Sequence, residues 1–302
     1  MTSKPLPILH TIHQGGSEWG LSRYSRWVGG CNRKASLDEA AKKTETPKQM
    51  TWSGAAVGTA GHLLMEHHFK GAPICRDESL VKAAIELEKD VVLQHTDMFE
   101  ERVWKEALRL FNAFRDTYPN RDHFGTPVAV EKALDSRESP QIATAVGIEP
   151  YTCRMDLVTE MDEKQLDRFT SSHGLDGATE IMRPGFWIVD HKFYARRNTF
   201  SMEQSLWSSQ FAAYQLAWNA TFPDMAVNGV IQNTIYKLKA PVFKATIIPP
   251  PSKKDKARLK NLFTIAVDEM TNRADRAVPS VNNCFPYGGI CRWLKEGVCD
   301  GA

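Results

Sequence analysis

No apolar run in the 302 residues approaches the ~20 positions that a membrane-crossing helix needs. The opening stretch, MTSKPLPILHTIHQGG, lacks the apolar core of a secretion signal, so the expectation is a cytoplasmic protein, in the host cytoplasm if the chain is viral. Excess charge of one sign is missing too. Lys and Arg number 38 against 36 Asp and Glu, and the net charge of +2 excludes a uniformly basic nucleic-acid coat while permitting a basic groove beside an acidic site. Internal repeats and low-complexity tracts are absent. Six cysteines in a chain of this size and intracellular character do not read as a disulfide framework, because intracellular thiols stay reduced and such frameworks belong mainly to small secreted domains, which leaves metal ligation or plain buried thiols. What is present is ordinary globular composition, 42% hydrophobic and 25% charged, enough for one large core or two small ones.

Periodicity predicts short helices within 21–41, broken at Gly29 and Gly30, and a helix over 55–70. Two further helical stretches, 79–95 and 98–118, form an insertion over 74–124. After Gly125, Thr126 and Pro127 the character changes to short β-prone runs at 127–134, 149–160 and 186–193. The polar stretch 161–185 reads as a hairpin excursion or loop. A helix over 202–222, strands at 227–238 and 242–248, and a last helix over 253–275 complete the chain. That order predicts an α/β fold with a mixed central sheet flanked by helices.

Three segments carry chemistry. In the 55–70 helix His62 and Glu66 stand one turn apart on one face, and Gly58 and Gly61 allow close backbone approach. In 151–159 a lone Asp156 sits between apolar neighbours, where strand propensity disfavours it. In 185–193 an apolar strand is interrupted by Asp190 and Lys192, which alternation puts on one face opposite His191. An acid and a lysine on a buried strand often gain nothing in stability, so a role in a site is the better reading. Together these are an imidazole, two carboxylates and an ammonium group, a set suited to hard divalent cations and a hydrolytic water. Mg²⁺ prefers oxygen ligands, while Mn²⁺ also accepts imidazole. Glu131, in the strand-like 128–132, is a further carboxylate that could face such a site.

The ordered series Gly58, His62, Glu66, then Asp156, then Asp190-His191-Lys192, then Gln210 and Tyr214 resembles the motifs of RecB-type nucleases of the PD-(D/E)XK superfamily. The resemblance spans roughly residues 22–299 and implies a restriction-endonuclease-like core. It implies that His62, Asp156 and Asp190 bind Mg²⁺ or Mn²⁺ with the backbone carbonyl of His191, that Lys192 is catalytic, and that Gln210 and Tyr214 contact the DNA strand. Read without it, Gln210 and Tyr214 are ordinary helix surface. The chain departs from the family in carrying Cys153 where a glycine is common, and in a longer gap from Asp156 to Asp190.

Cys284, Cys291 and Cys299 cluster within the last 19 residues and Cys31 follows the double glycine, whereas Cys75 and Cys153 lie apart. The spacings are not CxxC, and a zinc reading from spacing alone is weak. A subgroup of RecB-type nucleases, including CRISPR-associated adaptation nucleases and relatives carried by bacterial viruses, has one cysteine before the core and three after it, holding a four-iron four-sulfur cluster. Residues 22–31 are similar to the start of those proteins. The resemblance therefore implies an N-terminal segment at 1–54 with the first cluster cysteine, a nuclease core at 55–275 and a cysteine segment at 276–302, with zinc as the alternative metal. The function it implies is cleavage of single-stranded DNA from free ends, with Trp207, Tyr214 and Trp218 as faces on which bases could stack. The alternative is a DNA-end-binding adaptor in a recombination or CRISPR-related complex. An iron–sulfur redox enzyme would need a partner flavoprotein for which no motif is found.

Overall fold

A computed structural model of the chain describes Leu21, Tyr24 and residues 53–70, 99–175, 181–194 and 209–272. The expected helix at 79–95, most of 21–41, and Cys31, Cys75, Cys284, Cys291 and Cys299 lie outside the described residues. By contact the chain divides into two compact units, one of residues 48–133 and 154–251, the other of 1–47, 134–153 and 252–302.

Helix α1 spans Gly54–Lys70 and α2 spans Glu101–Thr117. Ser53 starts α1 by accepting the Ala56 amide on its Oγ at 3.0 Å, satisfying one of the donors that every helix leaves open at its first turn. In α2 the residues Val103, Trp104, Ala107, Leu110, Phe111 and Phe114 recur at helical spacing and are buried. They meet α1 through rings: Phe111 lies 5.6 Å from His68 and Phe114 lies 6.4 Å from Phe69. A short 3-10 turn, Arg121–Phe124, leads into the first strand.

Five strands form one sheet in the order β1-β2-β3-β4-β5: β1 Thr126–Asp135, β2 Thr152–Met161, β3 Gly185–Tyr194, β4 Val227–Tyr236 and β5 Val242–Ile248. β2 pairs with β3 antiparallel, β3 with β4 parallel, and β4 with β5 antiparallel, which is the mixed sheet that the sequence predicts. The parallel pair needs a crossover, and helix α5 (Ser209–Thr221) supplies it. β3 is buried without interruption from Trp187 to His191, as expected of an inner strand covered on both faces.

Two helices were not anticipated. Residues 163–172 of the supposed excursion form α4 (Glu163–Ser172), begun by a capping box in which Asp162 accepts the Gln165 amide and the Gln165 side chain accepts the Asp162 amide. Its buried Leu166, Phe169 and Thr170 carry too little apolar signal to stand out in a polar stretch. The seven-residue α3 (Pro140–Val146) in the smaller unit is shorter than periodicity can detect. In that unit α6 (Lys253–Asn272) presents Phe263, whose ring meets Tyr24 at 5.1 Å and Tyr151 at 6.0 Å.

Candidate metal centre

The larger unit holds all the residues concerned, and α1 is seated on β3 by a glycine. A Cβ on Gly61 would come within 2.5 Å of the Phe193 ring, so this face of α1 can lie flat on β3 only because residue 61 has no side chain. A Cβ on Gly58 would come no closer than 3.7 Å to Phe193, so that glycine is not needed for the approach. The next residue, His62, is thereby aimed at β2: its Nδ1 lies 3.3 Å from Oδ2 of Asp156. The same oxygen accepts the backbone amide of His191 at 2.8 Å. The contact shown at His191 is thus through its N–H; its ring turns to the other face, stacked on Phe69 and hydrogen-bonded through Nδ1 to Asn233 at 3.0 Å.

Glu131 on β1 completes a group of three. One ligand atom each from His62, Glu131 and Asp156 lie within 4.8 Å of one another. Glu131 takes a φ of +49°, the left-handed region that a non-glycine residue in a strand normally avoids, a strained conformation of the kind that functional sites retain. Its carboxylate, 7% exposed, pairs with Arg154 at 2.8 Å. Arg154 stands two residues before Asp156 on β2; its same-face position was readable from the alternation, but not its partner across the sheet. Glu66 belongs to the outer edge of the site, ion-paired with Lys70.

Asp190 and Lys192 lie on one face of β3, as the alternation requires, and Lys192 Nζ donates to Asp190 Oδ1 at 3.0 Å. Asp190 is 2% exposed, and its Oδ2 has no hydrogen-bond partner among the described residues. Beside it on β4 stands the buried Gln232.

Burial dominates the electrostatics. It pushes Asp190 up to about 7, with the charge of Asp156 adding to the effect and Lys192 opposing it. It pushes Glu131 up to about 8, again helped by Asp156 and opposed by Arg154. For Asp156 burial also acts upward, but His62, Lys192 and the His191 amide outweigh it and hold the carboxyl below its usual range. Burial lowers His62, so its imidazole is a neutral lone-pair donor at neutral pH. Three carboxylates are therefore crowded around two cationic side chains, Arg154 and Lys192, and two of the three resist ionising. A divalent cation fits this donor set. It would be met by the imidazole of His62 and by the carboxylates of Glu131 and Asp156; Asp190, with its unpartnered Oδ2, is not one of that group of three.

On α5, Gln210 Nε2 donates to the Tyr214 hydroxyl at 2.7 Å, one turn away, and both residues are half-buried. Trp218 is a core residue instead of a stacking face: it is 1% exposed and its indole N–H donates to the Met225 carbonyl at 2.8 Å. Trp207 lies outside the described residues. Cys153 is buried, its thiol pushed up to about 12 by burial, and it belongs to no ligand group among the described residues. No helix among the described residues is long and apolar enough to cross a membrane.

Comparison with known proteins adds the family. The model of the PD-(D/E)XK nuclease superfamily matches residues 28–295. A solved structure of a candidate exonuclease from Eubacterium rectale is similar at 10% identity and a TM-score of 0.48, over 92% of this chain and 89% of that one. No curated protein sequence matches the chain.

Proposed function

The chain belongs to the PD-(D/E)XK nuclease superfamily, with the mixed sheet of a restriction-endonuclease-like fold, and from that premise we propose a divalent-metal-dependent deoxyribonuclease that cuts single-stranded DNA from free ends. The observation that carries the reading is the convergence of His62, Glu131 and Asp156 within 4.8 Å, with Arg154 paired to Glu131 and the Lys192–Asp190 ion pair on the neighbouring strand.

In this proposal His62, Glu131, Asp156 and Asp190 hold Mg²⁺ or Mn²⁺, with the carbonyl of His191 as a further ligand. What the ion supplies when bound is polarisation of a phosphoryl oxygen and a more acidic water. The chain's own residues do the rest. The His191 amide fixes the orientation of Asp156 through its hydrogen bond. Lys192, held protonated by Asp190 and Asp156 against the effect of burial, keeps an ammonium group where negative charge grows on the phosphate. Arg154 fixes Glu131. Gln210 and Tyr214, joined on the half-buried surface of α5, are the proposed contacts to the DNA strand.

The four cysteines Cys31, Cys284, Cys291 and Cys299 are proposed to hold a four-iron four-sulfur cluster, or zinc, that ties the segments 1–54 and 276–302 to a core over 55–275. A brown protein absorbing near ~400 nm, colourless after Cys291→Ser, supports iron; zinc without colour refutes it and leaves the nuclease reading intact.

The test of the nuclease reading uses end-labelled linear single strands and closed single-stranded circles with Mn²⁺. The expected result is degradation of linear strands alone, abolished by Asp190→Ala and by Lys192→Ala. Cutting of circles at the same rate refutes the free-end requirement. Absence of any cleavage by the native protein refutes the enzyme and favours a DNA-end-binding adaptor in a recombination or CRISPR-related complex.

A further inference from the structure

A second pair of ligand-type side chains converges outside the acidic site. His123 lies in the 3-10 turn that leads into β1, and His173 is the residue that closes α4. Their Nε2 atoms face each other at 3.0 Å. Both rings are held by aromatic neighbours: Tyr118 stacks on His123 at 4.2 Å between centroids, and Phe169 lies 4.5 Å from His173. Phe124 packs against His123 at 5.0 Å and His173 at 6.1 Å. The nearest charges answer each other, Arg168 bonding Asp122 at 2.8 Å. His123 is 8% exposed and His173 is half-buried, so the pair is enclosed on one side and reachable on the other.

We propose that His123 and His173 form a second metal site, one that takes a borderline transition-metal ion of the Zn²⁺, Ni²⁺ or Cu²⁺ class between their two Nε2 atoms. Imidazole nitrogen suits these ions, whereas Mg²⁺ wants oxygen, so the pair selects against Mg²⁺, one of the two ions proposed for the acidic centre. The spacing fits. Two nitrogens bound at about 2.0–2.1 Å from one ion lie about 2.9 Å apart at a right angle and about 3.3 Å apart in a tetrahedron, and the observed 3.0 Å falls between these values. The aromatic packing sets both ring planes before any ion arrives, which lowers the ordering cost of binding.

The protons balance. In the metal-free pair one ring carries its hydrogen on Nε2 and donates it to the lone pair of the other. On binding, that ring shifts its hydrogen to Nδ1, both Nε2 lone pairs turn to the ion, and no proton leaves the protein. Burial holds both histidines near 4, so they stand neutral and ready at physiological pH. The bound ion clamps the turn at the start of β1, the strand that carries Glu131, to the end of α4.

The test is electron paramagnetic resonance of the full-length protein as purified, with one equivalent of Cu²⁺ as probe and Mg²⁺ in excess. The expected spectrum shows two equatorial imidazole nitrogens. It is lost in His173→Gln, which binds Cu²⁺ at least about tenfold more weakly, and in His123→Gln. It is retained in His62→Gln, and His173→Gln keeps native cleavage with Mg²⁺. Circular dichroism establishes that the variants fold; should the more buried His123→Gln not fold, His173→Gln decides. A native protein without the two-nitrogen spectrum overturns the proposal. So does a spectrum unchanged in His173→Gln, or one abolished by His62→Gln.

Discussion

His62 and His191 meet at a single atom: Oδ2 of Asp156 lies 3.3 Å from the imidazole of the first and accepts the backbone amide of the second at 2.8 Å. A helix and an inner strand are thus both tied to one carboxylate oxygen on β2. Replacing Asp156 by Asn removes the charge while keeping the shape. The expected outcome is a loss of cleavage of at least about a hundredfold, with a higher Mn²⁺ concentration needed for half-maximal rate. The same variant lowers the pKa of Glu131 and of Asp190, because the Asp156 charge is one cause of both upward shifts. Carboxyl carbon resonances followed against pH check this.

Without metal, stability falls as pH rises from about 7.5 to 9. Asp190 stands near 7 and Glu131 near 8 in the folded protein, against about 3.9 and 4.3 for unfolded carboxyls. An acid with a raised folded pKa contributes stability that is full below its unfolded pKa and lost as pH passes its folded pKa. The buried histidines act the other way below this window. His68 is held near 3, His123, His173 and His191 near 4, and His62 is lowered too, while an unfolded imidazole titrates near 6.5, so their gain in stability with rising pH is complete only above about 7.5. The expected loss is on the order of 1 kcal/mol in chelator, seen by urea unfolding. Saturating Mn²⁺ removes the slope, because the ion stabilises the ionised carboxylates.

Gly61→Ala separates fold from site. The added methyl meets the Phe193 ring, so α1 or the ring must move. Overpacking costs about 1–3 kcal/mol and the better helix propensity of alanine returns about 1, so the net loss of stability is modest. Cleavage falls further than stability does, because His62 is the neighbouring residue. Phe193→Leu in the same chain, which removes the obstructing ring edge, restores part of the activity.

Phe114→Ala is expected to be among the costlier single truncations in the larger unit. Phe114 is 1% exposed and its ring meets those of Phe69, Phe111, Tyr118, Phe124, His191 and Phe243. The expected loss is about 3–5 kcal/mol, measured by denaturant unfolding in the presence of Mg²⁺.

The strands were legible where alternation or a dense apolar run was strong. β5 was read at its observed bounds and β3 within one residue at each end, and the face shared by Asp190 and Lys192 followed from a period of two. Helix α4 was hidden because a capped polar helix with three buried residues has the composition of a loop. Glu131 was visible only as one more strand carboxylate. What singles it out, a φ of +49° and proximity to His62 and Asp156, depends on residues far apart in the chain.

The residue types and their local order determined the secondary elements, the pairing of Asp190 with Lys192 on one strand face, and the family. Only the tertiary structure decided that α1 lies close enough on β3 for His62 to reach Asp156, that Glu131 and Arg154 join them from β1 and β2, and that His123 meets His173. Local periodicity arises from backbone geometry that each segment carries with it, whereas these encounters depend on packing between segments remote in the chain, which no single stretch of sequence specifies.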